Sequence, residues 1–209
     1  MSLRVAVLDY EMSNLRSAAK ALERQGASVT VARRPDEIGE VDAVVLPGDG
    51  HFGEAMRRLR SSGLADAVRA ASDRGTPVLG ICIGLQVLFD SSDEAPEEAG
   101  LGLIPGVVRR LDDTAKVPHI GWSHVSFGDR CPIAPPTADP AFYFLHGYAV
   151  VPSDDADVWA TAHHGRGDFC AVAGRGHVMG VQFHPEKSSD AGLALLERWM
   201  AHVGTEVHA

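Results

Sequence analysis

Apolar residues recur with two different periods along this chain, and the change of period divides it. Leu3 to Asp9 is a short run rich in valine, the pattern of a buried strand. Asn14 to Gln25 carries Leu15, Ala18, Ala19 and Leu22 at helical spacing, and Gly26 ends it. Ser28 to Ala32 predicts a second strand, and Val41 to Leu46 a third, closed by Pro47-Gly48. Helical patterns cover Phe52 to Leu59 and Leu64 to Arg74. Pro77 to Ile81 predicts a fourth strand, and another helix begins over Leu85 to Phe89. From Leu103 to Val181 strands and turns dominate: Val107 to Leu111, Ser123 to Phe127, Phe142 to Val151, Trp159 to His163, Phe169 to Ala173 and Val178 to Phe183. Asp190 to Val203 returns to helix, with Leu193, Leu196 and Met200 on one face.

Strands that alternate with helices imply parallel βα units, with ligands at the carboxyl ends of the strands. Asp9, Gly48 and Cys82 all fall at such ends. The expected fold class is α/β, a mostly parallel central sheet with an added antiparallel portion. Two segments read as linkers: acidic Ser92 to Gly100, and Cys131 to Pro140 with its four prolines. Neither is long enough to split the chain, so residues 1–209 are expected to form a single domain. No internal repeat is visible.

Composition narrows the function. The 209 residues are 45% hydrophobic and 22% charged, ordinary for a globular protein. A net charge of -9 argues against a nucleic-acid binder, which needs a basic stripe to neutralise phosphates. No apolar run approaches the roughly 20 residues of a membrane span. Met1-Ser2-Leu3-Arg4-Val5 lacks the basic-then-apolar pattern of a secretory signal. Three cysteines, Cys82, Cys131 and Cys170, with no Cys-x-x-Cys pair, point to a reducing compartment, and a cytoplasmic location is expected.

The candidate chemistry lies in two short segments. Gly80-Ile81-Cys82-Ile83-Gly84 follows the apolar run Pro77-Val78-Leu79 and predicts a nucleophile on a tight strand-to-helix elbow. Small residues beside the cysteine let the thiol project. The helix that follows points its amino end at the sulfur, and helix N-termini favour anions. The Ile83 amide can face a developing oxyanion. Far downstream, Val181-Gln182-Phe183-His184-Pro185-Glu186-Lys187-Ser188 supplies an imidazole and a carboxylate two positions apart. Strand alternation puts both on one side. His184 then serves as general base and acid, and Glu186 fixes its orientation and tautomer. A Cys-His-Glu triad suits amide hydrolysis through a thioester, since an amide carbon is a poor electrophile. Pro47-Gly48-Asp49-Gly50 is a third element, whose glycines permit an N–H to turn inward and complete an oxyanion hole.

Other residues carry bland expectations. Cys131 and Cys170 lack a catalytic context. His163-His164-Gly165 has no partners at metal-ligand spacing. Asp154-Asp155-Ala156-Asp157 reads as a solvated turn. No metal and no cofactor is expected.

The elbow and His184-Pro185-Glu186 are shared with the class I glutamine amidotransferases, whose fold is flavodoxin-like. Leu46 to Gly53, Gly100-Leu101-Gly102-Leu103-Ile104-Pro105-Gly106, Val117-Pro118-His119-Ile120-Gly121-Trp122 and Lys187-Ser188 narrow the likeness. With them the chain resembles, nearly end to end, the glutaminase subunits of imidazole glycerol phosphate synthase. The resemblance implies that glutamine is hydrolysed here and that ammonia passes to a partner, a (βα)8-barrel cyclase of histidine biosynthesis. It further implies that Gln86, Glu94, His146, Gly147 and Tyr148 hold the glutamine α-amino and carboxylate groups. Asn14, Trp122, Tyr143 and Lys187 would face the partner. The chain departs from the family's pattern in Glu11-Met12-Ser13 after Asp9-Tyr10, in Gly147 for a hydroxyl residue, and in Asp49 for an uncharged one.

Two alternatives stay open at this level. One is the glutaminase of another class I amidotransferase. The other is a regulatory module that keeps the fold without catalysis. Asp49 sets a further expectation. At about 8 Å and an effective dielectric near 20, its carboxylate would oppose the oxyanion by ~2 kcal/mol. That is more than tenfold in rate, so the side chain is expected to point away from the sulfur.

Overall fold

A computed structural model describes residues 2–12 and 14–207. The first half runs β1 (Arg4–Leu8), α1 (Leu15–Arg24), β2 (Ser28–Ala32), α2 (Pro35–Ile38), β3 (Ala43–Leu46), α3 (Phe52–Ser61), α4 (Leu64–Asp73), β4 (Val78–Ile81) and α5 (Ile83–Gln86). The second half runs β5 (Ser91–Ser92), β6 (Gly106–Arg110), β7 (His119–Phe127), β8 (Ala141–His146), β9 (Tyr148–Pro152), β10 (Val158–His164), β11 (Gly167–Arg175), β12 (Val178–Val181) and α6 (Ser189–Val207). Short 3-10 turns occupy Asp155–Asp157 and Pro185–Lys187.

Nine strands form one sheet in the order β2-β1-β3-β4-β12-β11-β10-β7-β8. From β2 to β12 every pairing is parallel. From β12 to β8 every pairing is antiparallel. The antiparallel portion therefore extends the central sheet instead of forming a layer of its own. A second sheet, β5-β6-β9, lies apart.

Alternation in β1 shows how both faces are buried. Val5 and Val7 belong to a core with Leu22 of α1 and Trp199 of α6. Ala6 and Leu8 belong to another with Phe52, Met56 and Leu59 of α3. Burying each large apolar side chain contributes roughly 1.5–3 kcal/mol, so two full faces fix the register of the parallel half.

Most expected elements appear with ends shifted by a residue or two. Three differ in substance. The run Phe142 to Val151, expected as one strand, breaks at Gly147: β8 joins the large sheet and β9 the small one. The helix expected over Leu85 to Phe89 begins earlier and ends at Gln86. The carbonyls of Val87, Leu88 and Phe89 accept instead from Leu101, Leu103 and Gly102, so the returning chain replaces helical bonding. Asp154 to Asp157 is not wholly solvated. Asp157 is buried and accepts from Arg175 Nε at 3.0 Å.

Candidate active site

Cys82 follows β4 directly and caps α5, with φ 56° and ψ -110°. That left-handed conformation is strained for a residue with a side chain, and such strain concentrates at nucleophile elbows. The two flanking glycines are required by backbone contact. A Cβ on Gly84 would lie 1.8 Å from the Leu46 carbonyl oxygen, and one on Gly80 2.4 Å from the Gly84 carbonyl oxygen. Leu85 and Gln86 of α5 donate to the Cys82 carbonyl, while the amide of Ile83, next to Cys82, is one of the first amides of the helix, which have no intrahelical acceptor.

The base arrives from the neighbouring strand. β12 pairs with β4 in parallel, Val181 opposite Ile81, so the two carboxyl ends adjoin. Three residues beyond Val181, His184 Nδ1 lies 2.8 Å from Glu186 Oε1, and both side chains are essentially inaccessible. Nδ1 donates to the carboxylate, which leaves Nε2 free; Nε2 has no hydrogen-bond partner in the resting structure. Burial pulls His184 down, but the Cys82 sulfur and the Glu186 carboxylate outweigh it, and the imidazole is raised to about 9. With no formed bond at Nε2, the sulfur acts through proximity and charge. Burial pushes the other thiols up, Cys131 to about 11 and Cys170 to about 12, so neither is a nucleophile near neutral pH.

Asn14, expected at the partner face, is tied to the triad as well. Its Nδ2 donates to Glu186 Oε1 at 2.9 Å and lies 3.1 Å from His184 Nδ1. Since Nδ1 gives its proton to Glu186, the bond that matters is the one to the carboxylate. Ser188 supports the same turn: its hydroxyl donates to the His184 carbonyl and accepts from the Tyr143 amide. Neither link was legible locally, because each needs a tertiary partner.

The expected substrate residues surround the sulfur unequally. Gln86 is buried, and its Nε2 contacts the Tyr148 carbonyl at 3.0 Å and Gln182 Oε1 at 3.1 Å. Gln182, fully buried, then donates to Cys82 Sγ at 3.7 Å. The Leu145 carbonyl accepts from the same sulfur at 3.8 Å. Gln182 was missed as a site residue; its only local signal is a polar side chain two positions before His184, on the same strand face. Glu94 Oε2 accepts from the Phe52 amide at 2.7 Å, which anchors the start of α3. The side chain of His146 is hydrogen-bonded within the protein. Its Nδ1 donates to the Tyr148 carbonyl at 2.8 Å and its Nε2 accepts from His119 Nδ1 at 3.2 Å. His119 Nε2 in turn accepts from the Ser123 hydroxyl. Burial lowers His146 to about 3 and His119 to about 4, so both rings are neutral and this tautomer chain is consistent. Only the backbone of His146 and Gly147 remains for a ligand.

The Pro47–Gly50 turn meets the elbow at Gly48. A Cβ there would lie 2.6 Å from Ile83 Cγ2 and 2.6 Å from the Tyr10 hydroxyl. Asp49 is half-exposed at the rim, while Cys82 is buried, and the groups bonded to the sulfur are Leu145 and Gln182. Asp49→Asn is accordingly expected to change kcat/KM for glutamine by less than about threefold, under ~0.7 kcal/mol. A tenfold change in the intact assembly, in either direction, would show that the carboxylate acts on the chemistry.

Trp122 and Tyr143 face each other across β7 and β8, their rings 6.2 Å apart edge to face. Trp122 is 54% exposed and Ile120, on the same strand face, 56%. With half-buried Lys187 on the turn after His184, they form an apolar rim beside the triad. Among the described residues, no group of three or more His, Cys, Asp or Glu is placed to hold a metal.

Comparison with known proteins agrees with this constellation. The family described as "Glutamine amidotransferase class-I" matches residues 6–203. The "Imidazole glycerol phosphate synthase subunit HisH" of Moorella thermoacetica is 44% identical, over 98% of this chain and 99% of its own. The protein of the same name from Gloeobacter violaceus is 45% identical, over 94% of this chain and 88% of its own. Among solved structures, PurLQS from Thermotoga maritima shares the fold with a TM-score of 0.76 at 21% identity, over 99% of this chain and 100% of that one. A structure described as glutamine amidotransferase aligns with a TM-score of 0.74 at 20% identity, over 98% and 99%.

Proposed function

Since this chain belongs to the class-I glutamine amidotransferases, we propose that it is the glutaminase subunit of imidazole glycerol phosphate synthase. The relatives' name carries the choice of synthase. The observation that carries the chemistry is the meeting of Cys82 with the buried His184–Glu186 pair at two adjoining strand ends. An intact triad of this geometry disfavours a silent regulatory module.

The Cys82 thiolate attacks the glutamine side-chain carbonyl. Negative charge gathers on the carbonyl oxygen, where the Ile83 amide and an N–H of the Gly48-Asp49-Gly50 turn receive it. Protonated His184 gives its proton to the departing nitrogen, and ammonia leaves behind a thioester. His184, now neutral, takes a proton from water as that water attacks the thioester; the C–S bond then breaks, which releases glutamate and returns the Cys82 thiolate beside protonated His184. Glu186 keeps the ring oriented throughout, and Asn14 keeps Glu186 oriented. Glu94 receives the α-ammonium with the oxygen that does not bind Phe52, and the backbone of His146 to Tyr148 receives the α-carboxylate. Gln86 acts through Gln182, holding the sulfur's neighbour in place.

The rim of Trp122, Tyr143 and Lys187 docks the cyclase, a (βα)8 barrel that carries ammonia to its own substrate. Imidazole glycerol phosphate and an aminoimidazole carboxamide ribonucleotide result. No helix among the described residues is long and apolar enough to cross a membrane. Three free cysteines suit a reducing compartment, in support of a cytoplasmic place.

The test is glutaminase activity with and without the cyclase and its ligand. The isolated protein is expected to hydrolyse glutamine slowly and the liganded complex faster, because an uncoupled glutaminase loses ammonia to solvent. The turn at Gly48 holds its N–H inward only in the assembled state. Full activity of the isolated chain would contradict this.

A further inference from the structure

Tyr10 is 2% exposed, and its hydroxyl has no hydrogen-bond partner among the described residues. A phenylalanine would fill the same space without burying an unpaired polar atom, so packing alone does not account for the hydroxyl. Its neighbours point to a role. The hydroxyl presses on Gly48, where a Cβ would lie 2.6 Å from it. Burial raises the phenol, and the nearby Cys82 and Asp49 raise it further, so it keeps its proton at working pH and has a hydrogen to donate. The same chain segment runs along the turn: a Cβ on Gly48 would be 3.4 Å from Met12 Cβ, and one on Gly50 3.0 Å from Met12 Cε.

The turn's far end is already fixed. Glu94 accepts from the Phe52 amide, and His51 Nδ1 accepts from the Gly53 amide. At Gly48 the unpaired Tyr10 hydroxyl stands where such a fixing bond would form. Gly50, at φ +115°, gives the turn backbone freedom that other residues lack. We propose that Tyr10 is a positioning residue for the oxyanion hole: its hydroxyl donates to a peptide carbonyl of the Pro47–Gly50 turn and thereby holds that turn with an N–H facing the reacting carbonyl. The hydroxyl is unpaired at rest and paired in the competent state, so it favours the competent state without occupying the site. The role deepens the amidase chemistry proposed above and depends on it.

Tyr10→Phe in the assembled, liganded synthase tests this. It is expected to lower kcat for glutamine about tenfold or more, with KM changed less than about threefold, because the lost bond matters as charge develops. Ammonium-dependent product formation should be unchanged. Thermal stability of the isolated chain should be unchanged or higher, and iodoacetamide should alkylate Cys82 at the wild-type rate. Wild-type kcat in Tyr10→Phe would overturn the positioning role alone. A fall in kcat matched by a fall in melting temperature would overturn it in favour of a structural role. A matching change in alkylation rate would overturn it in favour of action on the sulfur. If the wild-type complex itself fails to hydrolyse glutamine, the amidase assignment falls, and the Tyr10 role with it.

Discussion

Cys82→Ala is expected to abolish glutamine hydrolysis while leaving the assembled synthase able to form product from added ammonium. No second nucleophile stands in the elbow, and the other two thiols are buried with their protons held on. Alanine removes the sulfur that bonds Gln182 and the Leu145 carbonyl, both at long sulfur distances. Those weak contacts do not support the fold, so the chain should still dock its partner. Glutamate release and ammonium-driven product formation, measured side by side, separate the two steps. Equal loss of both would end the proposed division of labour.

His184→Ala should lower glutamine turnover by at least the roughly 10²- to 10⁴-fold typical of a general acid–base group. The proton on His184 sets the pH profile. Its pKa is raised to about 9, so the ring is charged below that pH and neutral above it. The departing nitrogen needs the charged form. Turnover should therefore hold through neutral pH and fall as pH rises through about 9, and the variant should lose that limb. Glu186→Gln should lose less, because a side-chain amide oxygen placed by the same 3-10 turn can still accept from His184 Nδ1. Near-normal turnover in His184→Ala would remove the histidine from the mechanism.

The triad was legible because each half is written locally. Gly80 and Gly84 flank Cys82, and a proline follows His184 directly, where it opens the 3-10 turn that carries Glu186. The parallel strands were legible for a similar reason: short valine-rich runs with glycine or proline at their ends. What stayed hidden depends on partners distant in sequence. In Phe142 to Val151 a single glycine marks a weak point at Gly147, but nothing local says that it passes the chain from one sheet to another. The bond from Asn14 to Glu186 spans 172 positions, and the His119–His146 pair joins two strands. The burial that makes His146 neutral and fully bonded is likewise not visible in one segment.

The placement of β12 also governs how this protein comes into being. Cys82 and Gln182 are 100 positions apart, yet they end on neighbouring strands. Everything from β5 to β11 lies between them in the chain. A growing polypeptide thus displays its nucleophile well before the segment that carries its base has been made. Until β12 slots in between β4 and β11, the thiol has no imidazole, and no nascent or truncated chain can consume glutamine. Closing a loop of that length costs about 4 kcal/mol of chain entropy. During that interval β4 offers an unpaired, apolar edge, which makes the late arrival of β12 the step most exposed to misassembly.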